Sequence, residues 1–332
     1  MKIALIVCWM GELPDYFDLW EYSCSKNIDY DFFIFTDHPK KEKYENVHFI
    51  QFDLNDFNGL VYKKIKIKTN VTKAYKLCDF KPAYGAIFED YLKKYDYWGH
   101  CDIDLIFGRI SDFLPSNLVC QYEKINKHGH FVLYKNNSKM NNLFKKEGSI
   151  FNYKDVFMSN ENFAFDEYTG LNMISKKQNI KLYCTNDFVD IDKSLKRYVC
   201  KNHLNYKYQM YLYEDGKIYK IYYDKKLQEK EMMYLHFQKK IPKINCSSFN
   251  HVGIGYKKYS DYISTIDKKT IEEYNGRDSY FVKSYEKCLY LLKKVYEFLQ
   301  SSNEKKKIWI KQKRTREEKN EEKRNFNVTS SL

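Results

Sequence analysis

Residues 97–109 read Tyr-Trp-Gly-His-Cys-Asp-Ile-Asp-Leu-Ile-Phe-Gly-Arg. Asp102 and Asp104 break into an apolar, aromatic run that reads as a buried strand. Carboxylates are seldom buried without a partner. Side chains at i and i+2 of a strand point to one face, so the two acids can share a cation. A divalent metal that holds phosphates needs one or two such carboxylates. Taken alone, an Asp-x-Asp is a weak motif and fits better as two acids at a strand-to-turn junction, one of them capping the turn. The context of the pair therefore has to decide.

His236, in Tyr-Leu-His-Phe-Gln-Lys-Lys, is a candidate to complete the metal shell or to bond a phosphate. An imidazole ligand tilts the choice from Mg²⁺ toward Mn²⁺. On its own, a partly buried structural histidine is the plainer reading. Lys239 and Lys240 would attract phosphate, or form a solvated charge run. Lys76 and Lys81 precede the Asp pair and could meet a donor phosphate or Asp102. Asp79 between them fits a helix N-cap. Asp166 and Glu167 form the best acid pair elsewhere. One of them could act as general base toward an attacking hydroxyl, or both could sit as favourable charge in a helix's first turn. No Gly-x-Ser-x-Gly, P-loop, Gly-x-Gly-x-x-Gly after the first strand or His-Glu-x-x-His is present.

These residues need elements to bring them together. Lys2 to Cys8 reads as a buried strand, Trp9 to Pro14 as a loop and Asp15 to Ser25 as a helix. Tyr30 to Thr36 and Val47 to Phe52 are further strands, and strand–helix–strand order marks an α/β fold. A helix is expected over Asp79 to Lys94, with Pro82 in its first turn, leading into a strand from Tyr95 to Cys101. His130 to Tyr134 is another strand. Phe163 to Lys176 reads as a loop into a helix. Glu214-Asp-Gly-Lys217 joins two strands as a hairpin, and Met232 to Phe237 is a last strand. Ser284 to Gln300 is helical, with Leu289, Leu292, Val295 or Tyr296, and Leu299 on one face. Open α/β sheets bind ligands at the carboxyl ends of strands. Cys8, Trp9 and Gly11, then Asp37, Asp102, Asp104 and His236, all follow strands there. In a doubly wound sheet they would converge.

The 332 residues suffice for one large domain or two modest ones. Aromatics are abundant, with 32 Tyr and 23 Phe, which fits nucleotide bias as readily as function. The nine cysteines are scattered without Cys-x-x-Cys pairs, as for reduced core thiols, and argue against a zinc site. The N-terminal apolar run is short and lacks a cleavage site, and no run of eighteen apolar residues occurs. A cytoplasmic chain is the expectation. Net charge is +13, suiting polyanions or phosphate-bearing substrates. Much of it lies in Lys305, Lys306, Lys307, Lys311, Lys313, Arg314 and Arg316.

Tyr-Trp-Gly-His-Cys-Asp-Ile-Asp-Leu-Ile-Phe-Gly, preceded by Lys-Leu-Cys-Asp-Phe-Lys-Pro-Ala-Tyr-Gly, resembles a bacterial family of glycosyltransferase-like proteins from capsule and surface-polysaccharide loci. The opening Lys-Ile-Ala-Leu-Ile-Val-Cys-Trp-Met-Gly and the later Phe-Ile-Phe-Thr-Asp, Phe-Asp-Glu-Tyr and His-Phe-Gln-Lys fit the same family, collinearly over roughly residues 1–240. The resemblance implies a GT-A-like, Rossmann-type mixed sheet flanked by helices, with a C-terminal helical extension. It implies a metal-dependent nucleotide-sugar donor, most readily a UDP-sugar with Mn²⁺ or Mg²⁺. Asp102 and Asp104 match the family's Asp-x-Asp, and His236 its late histidine. Asp37 lies where such folds often contact the base or ribose. The expected organisation is a catalytic domain over 1–240, a helical extension over 241–300 and a charged tail over 301–332. The partners implied are the sugar donor and a glycan or lipid-linked glycan acceptor. Two alternatives are kept. One is a non-catalytic nucleic-acid- or polyanion-binding protein, although no specific nucleic-acid motif occurs. The other concerns residues 305–316, whose basic residues around Ile308, Trp309 and Ile310 could contact an anionic membrane at its inner face.

Overall fold

The computed structural model describes residues 1–240, 248–256, 259–260, 265–277 and 279–315. The fold is mixed α/β. Its strands are β1 (Ile3–Trp9), β2 (Tyr30–Thr36), β3 (Val47–Gln51), β4 (Tyr97–Cys101), β5 (Leu105–Phe107), β6 (Lys124–Ile125), β7 (Phe131–Lys135), β8 (Leu182–Tyr183), β9 (Phe188–Asp190), β10 (Gln209–Glu214), β11 (Lys217–Asp224), β12 (Lys226–Met232), β13 (Tyr234–His236), β14 (His251–Ile254) and β15 (Tyr259–Ser260). The largest sheet has the order β3-β2-β1-β4-β7-β6-β8. β1 is parallel to β2 and β4, β2 is parallel to β3, and β4 is antiparallel to β7.

β1 is apolar at every position because the sheet is covered on both faces. Ile3, Leu5 and Val7 enter one core with Phe17, Leu19 and Trp20 of α1 (Phe17–Ser25). Ala4 and Ile6 enter the opposite core with Phe57, Val61 and Ile65 of α2 (Leu54–Ile65). Strand alternation thus feeds two separate cores. α2 starts at a capping box made by Asp53 and Asp56 and ends at Lys66 in the left-handed conformation.

The helix expected over Asp79 to Lys94 is broken. The chain forms a 3₁₀ helix over Ala74–Ala83, then short turns of α-helix at Tyr84–Ile87 and Glu89–Leu92. Pro82 removes a backbone donor inside it. Gly85 lies against Trp98, whose ring would stand 2.4 Å from a Cβ there. Packing on the sheet therefore sets the path. Asp79 lies inside the 3₁₀ helix and is not an N-cap.

The expected hairpin is present between β10 and β11, with Asp215 and Gly216 both at positive φ as a tight hairpin turn requires. It belongs to an antiparallel sheet of order β12-β11-β10-β14-β15. β14 pairs with β10, so the boundary expected at residue 240 falls between strands of one sheet. The stretch expected as a helical extension also contains strands, and α4 (Lys268–Asn275) buries Ile271 and Tyr274 against β10 and β11. α5 (Tyr280–Leu299) follows. The third sheet, β5-β13-β9, joins the two halves of the candidate site.

The charged tail also departs from expectation. Residues 303–315 are helical, and Ile308 is buried in the second core. Gln312 Nε2 donates to the Phe163 carbonyl at 2.8 Å. This packing takes part of the 305–316 segment out of play as a free membrane-contacting surface. No helix among the described residues is long and apolar enough to cross a membrane.

Candidate functional site

The strand order reverses at β1, whose neighbours are β2 and β4. In open α/β sheets the crevice at such a switch point is where ligands bind. Cys8, Trp9 and Gly11 end β1 there, Asp37 follows β2 and Asp102 follows β4. The Gly11 N–H donates to Asp37 Oδ1 at 2.7 Å, tying the first two strand ends together. Gly11 has φ +97°, a region that favours glycine. Trp9 Nε1 donates to the Glu12 carbonyl at 3.1 Å and folds the loop back on itself. Burial pushes the Cys8 thiol up to about 12, against the Tyr84 hydroxyl and Lys81, which favours the thiol over the thiolate.

Asp102, Ile103 and Asp104 carry the chain from the large sheet into β5. The backbone is held on both sides. Asp102 N–H donates to the His130 carbonyl at 2.9 Å, and Trp20 Nε1 donates to the Asp102 carbonyl at 3.2 Å. The Phe237 N–H donates to the Asp104 carbonyl at 2.8 Å. Ile103 is buried between the two acids. β13 runs antiparallel to β5 and parallel to β9, which sets His236 opposite both Leu105 and Asp190.

Three groups expected to share a metal are brought together. Ligand atoms of Asp102, Asp104 and His236 all lie within 4.8 Å of one another. His236 Nε2 is 3.4 Å from Asp104 Oδ1, while its Nδ1 is 2.9 Å from Asp190 Oδ1. Gln238 Nε2 also donates to Asp190 Oδ1, at 2.5 Å. Burial alone would lower His236, but Asp104 and Asp190 outweigh it and raise the imidazole to about 10. Against burial, His236 in turn holds both carboxylates below their usual range. The arrangement stabilises a positive charge between the carboxylates. A histidine whose second nitrogen is fixed by a carboxylate is the usual support of a metal ligand. Two carboxylates and one imidazole suit Mn²⁺, and Mg²⁺ less well. The residues present therefore fit the expected cation.

Lys81 Nζ is 2.5 Å from Asp102 Oδ1, donates to the Gly129 carbonyl at 2.9 Å and lies 3.7 Å from Asp166 Oδ2. Burial works against its charge, but Asp102 and the other acidic groups raise it well above the usual lysine value. Asp166 is raised well above the carboxylate range by burial, with Lys81 acting the other way. Glu167 Oε1 accepts the Gly129 N–H at 2.9 Å. The expected helical setting of this pair is corrected: α3 (Leu171–Lys177) begins later, and both acids sit in the preceding turn. Gly129 permits their approach, since a Cβ there would lie 2.5 Å from Asp166 Oδ2.

Gln238 and Lys239 have φ of +56° and +67°, an uncommon pair of left-handed non-glycine residues. The bend aims the Lys239 N–H at Asp104 Oδ2, at 2.8 Å, and sets its Nζ 4.0 Å from the Tyr75 ring centre. Lys240 turns away and donates to the carbonyls of Lys196 and Arg197.

Lys76 and Asp79 are elsewhere. They form a fully buried ion pair at 2.7 Å. Asp79 accepts the N–H groups of Phe163 and Phe165, both at 2.9 Å, and Lys76 donates to the Glu161 carbonyl at 2.7 Å. Lys76 pairs with Asp79 and not with Asp102, so both residues clamp a loop.

Asp190, His130 and Gln238 were not singled out from sequence. The His130 ring centre lies 4.3 Å from that of His236, and His130, Asp190 and His236 also bring ligand atoms within 4.8 Å. Burial, then the charge of His236, lowers His130 well below the usual value and keeps it neutral. A signal for Asp190 existed: Asp190-Ile-Asp192 follows apolar Phe188-Val189 and repeats the Asp-x-Asp pattern.

No curated protein and no solved structure matches the chain. A family model does match, over residues 5–263, spanning the switch-point crevice, the Asp pair and His236 alike. The chain belongs to that family, a family of unknown function designated DUF6625.

Proposed function

We propose that the chain is a metal-dependent glycosyltransferase of GT-A type, moving a sugar from a nucleoside-diphosphate sugar to a glycan hydroxyl in bacterial surface-polysaccharide synthesis. One observation carries the reading: the ligand atoms of Asp102, Asp104 and His236 converge within 4.8 Å where the chain leaves β4 of the large sheet and enters the β5-β13-β9 sheet. The sequence resemblance supports the sugar donor, with UDP the nucleotide most readily implied, and a glycan or lipid-linked acceptor.

Asp102, Asp104 and His236 would hold Mn²⁺ or Mg²⁺. When bound, the ion neutralises charge that builds on a departing diphosphate. Asp190 orients His236 through Nδ1. The ends of β1 and β2, linked at Gly11 and Asp37, would face the base or ribose of the donor, as the resemblance implies for Asp37. Lys239, whose N–H meets Asp104 Oδ2, would offer a cation beside the metal-holding residues. Asp166, whose carboxyl shares Lys81 with Asp102, is our candidate base for the acceptor hydroxyl.

Asp104→Asn tests this reading. It removes a charged ligand while keeping the shape of the Lys239 contact. The expected result is loss of Mn²⁺-dependent hydrolysis of nucleotide sugars by at least about a hundredfold, with unchanged far-UV circular dichroism. Full metal-dependent turnover in the variant, or no turnover by the unaltered protein with any nucleotide sugar, would sink it.

A further inference from the structure

α5 is the longest helix described, and little of it is covered. Val282, Tyr285, Leu289, Leu292, Tyr296 and Leu299 succeed one another at alternating spacings of three and four residues. That is a heptad seam, the pattern by which one helix faces another. Each of the six side chains is between 48% and 65% exposed. Single apolar residues on a surface are ordinary, but a continuous seam of them marks an interaction face. α5 meets the rest of the chain along one flank of this seam, where Glu286 Oε2 accepts the Lys196 N–H at 2.8 Å beside Val282, and near its C-terminal end, where Phe298 packs on Trp309.

The seam reads alike from both ends. Turned about a point midway between Leu289 and Leu292, it sets Leu289 against Leu292, Tyr285 against Tyr296 and Val282 against Leu299. A two-fold interface requires this self-complementarity, since one patch must match itself. The flanks obey the same relation. In an antiparallel pair, Glu286 of one helix lies nearest Lys293 of the other, twice over, bringing opposite charges together. On the opposite flank Cys288 lies nearest Val295, which widens the apolar seam. No like charges meet.

We propose that α5 pairs antiparallel with α5 of a second copy, making the protein a two-fold homodimer. The inference is independent of the chemistry assigned to the metal-binding residues.

Sedimentation of the full chain over a range of concentrations should give twice the monomer mass. The double variant Leu289→Glu, Leu292→Glu should sediment as a monomer with unchanged circular dichroism and Mn²⁺ binding. Register is read separately: Val295→Cys should yield a covalent dimer on mild oxidation, through native Cys288 of the second copy. Adding Cys288→Ser should abolish that cross-link. A wild-type chain that is monomeric at every concentration, a double variant that still dimerises, or a cross-link that survives Cys288→Ser would overturn the proposal. So would a monomer that floats with phosphatidylglycerol vesicles through the same leucines, which would assign the seam to a lipid surface.

Discussion

His236 is the residue on which the candidate site turns. One ring nitrogen faces Asp104 and the other faces Asp190, so a single side chain connects the Asp-x-Asp to β9. Supporting carboxylates of this kind typically set ten- to hundredfold in metal affinity. Asp190→Asn should therefore weaken Mn²⁺ binding by about that factor, read by calorimetric titration, while leaving Asp102 and Asp104 in place. Unchanged affinity would show that Asp190 only braces the fold. Lys81 plays a different part. It fixes Asp102 and keeps Asp166 within reach, which lysines on the neighbouring turn do not.

At the scale of elements, the 3₁₀ helix Ala74–Ala83 carries two lysines with opposite assignments. Lys81 points to the Asp pair, whereas Lys76 closes a buried pair with Asp79 that holds the 163–165 loop. Burial lowers Lys76 and raises Asp79, each opposed by the charge of the other. Removing one partner leaves a buried charge alone. Lys76→Met is expected to cost roughly 3–5 kcal/mol in urea unfolding. Mn²⁺ affinity should be unchanged in the variant.

β6 carries a further buried lysine. Lys124 Nζ donates to Asn172 Oδ1 at 2.9 Å. Burial, only partly opposed by Cys184 and Asp166, lowers Lys124 to about 7. In the unfolded chain it stays protonated up to about 10.5, the ordinary lysine value. Between those values the unfolded state binds the extra proton, so stability attributable to Lys124 rises with pH. It is fully present above the unfolded value and is lost as pH falls through 7. Each unit of displacement is worth about 1.4 kcal/mol. Lys124→Met should raise the unfolding temperature at pH 6 and flatten this rise between pH 7 and 10. An unchanged slope would contradict the assignment.

For the whole molecule, the C-terminal basic helix is part of the body. Ile308 lies in the core beneath residues 303–315, Lys311 Nζ donates to the Ile150 carbonyl at 3.3 Å, and Ser159 Oγ donates to Glu304 Oε1 at 2.9 Å. This helix lies beyond the residues the family model matches. Burying an isoleucine is typically worth about 2–5 kcal/mol against alanine. Ile308→Ala should thus lower the unfolding temperature by several degrees in a thermal scan, with circular dichroism at room temperature unchanged. No change would return the segment to solvent.

Local chemistry in the chain was enough to mark β1, β2, β4, the β10–β11 hairpin and the Asp102–Asp104 pair. Apolar alternation, Asp-Gly turns and acids inside an apolar run act over a few residues and need no partner to be read. Helix breaking at Pro82 and Gly85, the integration of β14 with β10, and the docking of Ile308 depend on what packs above each segment. The same holds for the site. Asp190 stands 46 residues before His236 and meets it only because β9 and β13 run parallel in register. Periodicity states which face of an element is buried, but not which distant element covers it. The Asp pair and His236 were therefore legible as candidates. Their meeting, the carboxylate behind the imidazole, and the separation of Lys81 from Lys76 were decided by tertiary structure, because strand order and register set those distances.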